Sequence, residues 1–233
     1  MGVVSSHRKT TDDGNTTPRR TRLSPEQRRA QLIDLGVEML ATRPIEQISV
    51  EEIADRAGVS HGLLFHYFGS KHGYHVALVR HISREMIAHT APDESLPPLD
   101  MLRGTLVAYV EYVTERRDAY VSMLRGSTSG DPEMREIFEA TRTAMVERTV
   151  AHLPAIGIRT GPAVRLAVHG WVAFVEDTTI VWLRDHAEPA ASADQVISRD
   201  EFIDLAVSAL PAVTLAALAS GDSQNPTLDE FVL

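Results

Sequence analysis

From Leu32 onward, apolar residues recur at three- and four-residue spacing along most of the chain, the period of a helix with one buried face. Leu32, Leu35, Gly36, Met39 and Leu40 make the first such row. Ahead of it, Ser24-Pro25-Glu26-Gln27 offers an N-cap, a proline at the first helical position and a capping-box glutamine; Pro44 limits the other end. Ser49-Val50-Glu51-Glu52 repeats the start signal, with Ile48 and Ile53 placed as a hydrophobic staple. Gly58 stops this second helix after two turns. Ser60 opens a third, stapled by Val59 and Leu64 and running through Tyr67. Further helices are predicted near 71–90, 98–116, 118–125, 131–153, 160–186 and 198–219. Pro92, Pro97-Pro98, Gly126 to Pro132, Pro154 to Gly161 and Pro189 to Asp194 mark the breaks. No alternating period-two run stands out, and neither an internal repeat nor a heptad array is present, so an all-α chain without a sheet is expected.

Two short helices joined by Gly58-Val59-Ser60 predict a helix-turn-helix, whose second helix enters a major groove. In SVEEIADRAGVSHGLLFHYFGSK, residues 49–71, Ile53, Ala54 and Ala57 face inward, and the small Ala54 lets the next helix come close. Gly58 takes the sharp turn, Val59 fills the angle, and Leu64 and Phe68 anchor the recognition helix. That leaves His61, Gly62, Leu63, Phe65, His66 and Tyr67 wholly or partly outward. A row so rich in apolar and aromatic groups suits base edges and sugars better than bulk water.

Charge sharpens this picture. The net charge of −9 argues against nucleic acid until it is divided along the chain. Residues 1–80 hold 11 Lys and Arg against 9 Asp and Glu, whereas residues 81–233 hold 12 against 23. An acidic body with a basic head fits a modular DNA binder, because only the docking face must meet phosphate. Residues 1–22 carry Arg8, Lys9, Arg19, Arg20 and Arg22 among small polar residues and are expected to form a disordered arm. The absence of cysteine excludes disulfides and thiolate metal sites. No apolar leader is evident, and the apolar run Leu166 to Val175 is too short to span a bilayer, so a cytoplasmic protein with no membrane contact is expected.

The stretch IADRAGVSHGLLFHYFGSK, within a dense match from Leu32 to Val79, resembles the tetracycline-repressor (TetR) family, whose signature is a helix-turn-helix followed by an aromatic-rich stretch and a lysine. The resemblance implies a DNA-binding transcriptional repressor that meets a palindromic double-stranded operator as a homodimer and is released by a small-molecule effector. It implies base-contacting positions at His61, Gly62 and Leu63, backbone contacts at Phe65 and Tyr67, and a phosphate contact at Lys71. By the same resemblance Ser49 would place its hydroxyl and a helix N-terminus at another phosphate, and Ser60 and His66 complete the candidate DNA-binding set. Two departures stand out: Phe65 replaces the usual Tyr and loses a phenolic donor, and Gly73 stands near a position usually filled by Leu. The expected organisation is a basic arm at 1–22, a three-helix DNA-binding domain at 23–70, a larger helical ligand-binding and dimerisation domain at 71–220, and a tail at 221–233.

Catalytic chemistry finds little support. Gly58 to Gly62 fits G-x-S-x-G, but that nucleophile elbow needs a preceding strand, and EEIADRA reads as a capped helix. GSTSG at 126–130 has Thr at the critical position, and no Walker A, H-E-x-x-H or dinucleotide fingerprint occurs. Neither enzyme, cofactor nor metal site is expected. His72 and His75 lie at the DNA end of helix four and read as solvated or phosphate-facing, while His169 in LAVHGWVAFV reads as a core or pocket residue.

The resemblance implies a pocket in the body for a mostly apolar small molecule. Its candidate lining is Tyr109, Tyr112, Met123, Met145, His169, Trp171, Phe174, Asp177 and Trp182, with core packing the alternative for each. Glu176 and Asp177 follow the apolar run and either face solvent or orient a polar ligand group. The last two long helices are the expected dimer seam. Phe202, Leu205, Ala206, Ala209, Leu210, Val213, Ala216 and Ala217 leave the final one apolar around much of its circumference, and packing within one subunit is the alternative. Pro211 is expected to kink or break that helix.

Overall fold

The computed structural model describes residues 23–125, 130–186 and 196–221. The basic arm, nearly all of the C-terminal tail, most of GSTSG and the break after residue 186 lie outside the described residues. Among the described residues there are nine α-helices and no strand: α1 (Pro25–Leu40), α2 (Val50–Ala57), α3 (His61–Phe68), α4 (Lys71–His89), α5 (Pro98–Glu115), α6 (Arg117–Arg125), α7 (Pro132–His152), α8 (Pro162–Asp185) and α9 (Arg199–Gly221). The six later helices fall within two residues of their expected bounds. Short 3-10 turns at Ile45–Gln47 and Leu153–Ile156 were not foreshadowed by any pattern.

Side-chain caps set the helix starts. Ser24 accepts from the Gln27 amide while Gln27 accepts from the Ser24 amide, a complete capping box. Ser49, Ser60 and Ser70 each accept from the amide three residues on, and Asp131 does the same for α7. Gly58 ends α2 at φ 64°, a left-handed conformation that costs side-chain-bearing residues about 1 kcal/mol or more. A Cβ at Gly73 would lie 2.1 Å from the Phe68 carbonyl oxygen, so the tight α3–α4 corner explains why no larger residue stands there.

Two apolar clusters form the core. One joins α1 to α4 through Leu32, Ile53, Leu64, Tyr74 and Leu78 and continues into Ala119, Met123, Met134 and Ile137 of α6 and α7. The head is thus welded to the body through shared core. Tyr74 is fully buried at that junction and donates its hydroxyl to the Leu32 carbonyl at 2.8 Å. The second cluster packs α5, α7, α8 and α9 around Val113, Val168, Trp171 and Phe202.

The final helices correct several expectations. α9 passes Pro211 without a break, and the Thr214 hydroxyl donates back to the Leu210 and Pro211 carbonyls at 2.8 and 3.0 Å. Phe202, Ala206 and Leu210 are buried within their own subunit, and Ala209, Val213 and Ala217 pack partly against the same cluster. On the outward apolar face, Leu205 of the expected seam is 49% exposed, and beside it Leu166 on α8 and Leu215 on α9, which were not among the expected seam residues, are 74% and 50% exposed. α9 is also the one helix among the described residues long and apolar enough to cross a membrane, a longer apolar stretch than the run from Leu166 to Val175.

Candidate nucleic-acid interface and body cavities

α2 and α3 meet through the left-handed Gly58, and the Val59 amide donates back to the Ala54 carbonyl at 3.0 Å. Ile53, Ala54 and Leu64 are fully buried, which fixes α3 against α1 and α2 by its inner face. Its outer side leaves His61, Gly62, Phe65 and His66 exposed, with Leu63 and Tyr67 half-buried. Lys71 is exposed at the first turn of α4. Ser49 and Ser60 spend their hydroxyl oxygens as caps of α2 and α3, and Ser49 also donates to Glu51 at 2.6 Å. Ser60 therefore caps a helix that follows another helix, the opposite of a strand-borne nucleophile.

Around this face, Arg43 clamps Glu52 with two bonds of 3.0 and 2.9 Å, and the Arg29 guanidinium lies 5.1 Å from the centre of the Phe68 ring. His61 Nε2 stands 3.6 Å from the Asp55 carboxylate. His72 faces the body, 2.7 Å from Glu133 of α7. His75 is half-buried with Nε2 3.1 Å from the Ile48 carbonyl, and burial pushes its imidazole below the ordinary histidine range. His72 thus keeps its expected exposure to solvent, whereas His75 is turned inward.

The body holds three small neighbouring cavities of about 60 Å³ each. The first reaches from Val37 and Leu40 of α1 through Ile82, Ser83 and Met86 of α4 to Tyr120 and Met123 of α6. It shares Tyr109, Met145 and Glu176 with the second, where Trp171, Val172 and Val175 form one wall. The second shares Leu102, Thr105, Arg148 and Thr149 with the third, which ends at Ile156 and Pro211. Several polar groups inside this row are partnered. The Tyr109 and Tyr120 hydroxyls bond each other, and burial pushes both phenols up. Arg142 donates from Nε and Nη2 to one oxygen of Glu176 at 2.9 and 2.6 Å. Arg116 lies over the Tyr112 ring at 4.2 Å, and Tyr112 donates to the Ile82 carbonyl at 3.0 Å.

Comparison with known proteins resolves what kind of helical chain this is. Residues 32–73 match the family model described as bacterial regulatory proteins, tetR family, and residues 98–207 match that of the tetracyclin repressor-like C-terminal domain. The chain belongs to the TetR family of transcriptional regulators. As a TetR-family member it is similar to the HTH-type transcriptional regulator BetI of Burkholderia thailandensis, with 39% identity over 66 residues. That match takes in 28% of this chain and 34% of BetI, so it spans about a third of the relative. A tetR-family regulator from Streptomyces coelicolor has the same fold at 22% identity and a TM-score of 0.66, covering 89% of this chain and 96% of that one. FadR of Bacillus subtilis, solved in complex with stearoyl-CoA, aligns at 18% identity and a TM-score of 0.52, covering 79% and 97%.

Set on the TetR architecture, the sequence candidates for the head gather on one face, whereas those for the body scatter. Tyr109, Tyr112, Met123, Met145 and Trp171 do line the cavities. His169 is exposed on α8, which corrects its reading as a core residue; it lines an open groove with Arg165 and Leu166, apart from the three cavities. Asp177 is exposed and paired with Arg125; its neighbour Glu176, one helical step of about 100° away, is the carboxylate in the cavity wall. Phe174 packs against the body core outside the cavity linings. Trp182 stacks on Phe202 with 5.5 Å between ring centres and donates to the Ile197 carbonyl, so it tacks α8 to the approach of α9. The sequence reading missed Arg142, Arg148 and Tyr120, whose partners lie too far along the chain to leave a local signal.

Proposed function

We propose that this TetR-family regulator is a ligand-responsive repressor, working in the cytoplasm as a homodimer on a palindromic operator and released by a mostly apolar small molecule. The observation that carries this reading is the reach of α4. Its first turn holds Lys71 beside the recognition helix, and its later turns supply Ile82, Ser83 and Met86 to the cavity wall. One rigid element therefore touches both candidate sites. The cavities are small for a ligand, since drug-sized sites run to roughly 300–1,000 Å³, so an occupant must push their walls apart, and α4 is one of those walls. Release needs differential affinity for the two states; a 100-fold preference corresponds to roughly 2.7 kcal/mol. The exposed leucines on α8 and α9 supply a face for the second subunit.

In this reading His61, Gly62 and Leu63 meet bases, Phe65, His66 and Tyr67 flank the sugar-phosphate backbone, and Lys71 and the Ser49 end of α2 meet phosphates. The test is binding-site selection on random duplexes, followed by titration of the selected operator at several salt concentrations. Lys71→Ala should weaken specific and non-specific duplex alike and lower the salt slope by about one unit. His61 or Leu63 substitutions should change which bases are selected. A Lys71→Ala protein with altered base preference and an intact salt slope would reverse these roles.

A further inference from the structure

Several arginines of the body are matched with acids: Arg142 with Glu176, Arg199 with Glu111, Arg125 with Asp177. Arg148 of α7 forms no ion pair among the described residues, although it is half-buried where two cavities meet. Its Nη1 donates to the Ile87 carbonyl and its Nη2 to the Thr90 hydroxyl, both at 2.9 Å. A guanidinium has five N–H donors in a planar fork, so three remain without a protein partner among the described residues. The nearest cavity groups do not supply an anion. Glu176 is engaged by Arg142, and Thr105, Thr149 and Leu102 are neutral. Burial pushes the guanidinium below its ordinary pKa with no acid opposing the effect, a partly desolvated cation without a counter-charge.

We infer that Arg148 is the anchor for a slender apolar carboxylate, held by its head group where the second and third cavities meet and laid with its tail past Trp171 towards Tyr109. The inference rests on the ligand-responsive reading above and names the chemical class of that ligand. One cation with a free fork matches one planar carboxylate, which accepts two parallel bonds. A dianionic phosphate would lack a second cation there and would face Glu176 at the far end of the same cavity. The slender shape follows from the cavities themselves, each small, mostly apolar-walled and joined end to end through shared residues.

The anchor also touches the element that must move. Ile87 and Thr90 are the last turn and the cap of α4, where carbonyls lack helical partners and a cation is stabilising. A carboxylate held by the remaining Arg148 donors draws on the same guanidinium charge that holds Ile87 and Thr90, so head-group binding weakens the hold on the body end of the helix that begins at Lys71.

The experiment uses the full chain and three probes with one tail: octanoate, octan-1-ol and octylamine. Binding is followed by the fluorescence of Trp171, which lines the middle cavity. Octanoate should bind at least tenfold more tightly than either other probe. Arg148→Met should bind octanoate and octan-1-ol alike, and Arg148→Lys should bind octanoate several-fold more weakly with octan-1-ol unchanged. Should Arg148→Met fail to fold, Arg148→Lys and the wild-type ranking decide. Absence of saturable octanoate binding, a wild type that ranks octan-1-ol or octylamine level with octanoate, or octanoate affinity untouched in Arg148→Lys overturns the inference. Operator release is read separately. Octanoate that binds through Arg148 yet leaves the operator complex intact sinks the regulatory reading and keeps the site. Octan-1-ol that releases the operator while octanoate does not bind does the reverse.

Discussion

The head and the body are both helical, yet they place their polar groups by different rules. In the head, Ser24, Ser49, Ser60 and Ser70 each bond an amide three residues away, so every helix start is written locally. In the body, Arg142 reaches 34 residues to Glu176, Arg148 reaches 58 to Thr90, and Arg199 reaches 88 to Glu111. The head's outer face is consequently free for chemistry, since α3 is held by its inner side alone. The body's polar groups exist as pairs only after the helices have packed, and the leftover donors of Arg148 become visible only then.

The outward face of α8 and α9 is where the body departs from its own rule, because the apolar Leu166, Leu205 and Leu215 are exposed among the described residues. The largest expected effect lies there. Leu205→Glu combined with Leu215→Glu should sediment as a monomer with unchanged helical content. Operator affinity should fall by at least about 100-fold, since two linked heads gain that much or more from each other. Charges at Ala209 or Val213 should lower the melting temperature as well, because those side chains also touch the subunit's own core. A double glutamate variant that remains dimeric moves the interface off this face.

A smaller effect tests the local and long-range rules directly. Glu176→Ala leaves Arg142 with only Glu139 and should cost about 2–3 kcal/mol, below the full value for a buried pair because both partners keep some exposure. Ser49→Ala removes one cap and should cost about 1 kcal/mol. Replacing both members of the body pair, as Arg142→Met with Glu176→Leu, should recover much of the loss. Urea midpoints at one fixed protein concentration read all three. Equal costs for Ser49→Ala and Glu176→Ala, with no recovery in the double variant, would erase the contrast between the two regions.

This contrast also explains what could be read from the residues alone. Caps, staples and the glycine turn act within five residues, so the bounds of α2 and α3 and the outward row from His61 to Tyr67 were legible. Gly73 looked like a departure and proved to be a steric requirement, visible only once the Phe68 carbonyl is placed. In the body, helical period placed the helices but left faces ambiguous over several positions. Glu176 and Asp177 could not be told apart, and only Glu176 lines the cavity, while His169 was placed inside though the apolar run around it turns it outward. Phe202, Ala206 and Leu210 were assigned to the seam because an apolar helix does not say which of its faces belongs to its own subunit.

The smallest effect concerns the one head histidine kept away from water. His75 is half-buried on α4 with Ile48 as its acceptor, and Lys71, His72 and Glu46 are the charged and titratable groups that act on it. Burial is the largest influence and pushes its pKa down, so the folded head prefers the neutral ring. The unfolded chain, near the ordinary value of about 6.5, binds the proton more readily. The stabilising preference is therefore complete above pH about 6.5 and is lost as pH falls through the lower folded value. His75→Gln retains an N–H donor for the Ile48 carbonyl but cannot titrate. Between pH 7.5 and 5.5 the wild type should lose more of its melting temperature than His75→Gln, while all other histidines contribute equally to both curves. Parallel curves would mean that the imidazole is protonated as easily in the folded head as in water.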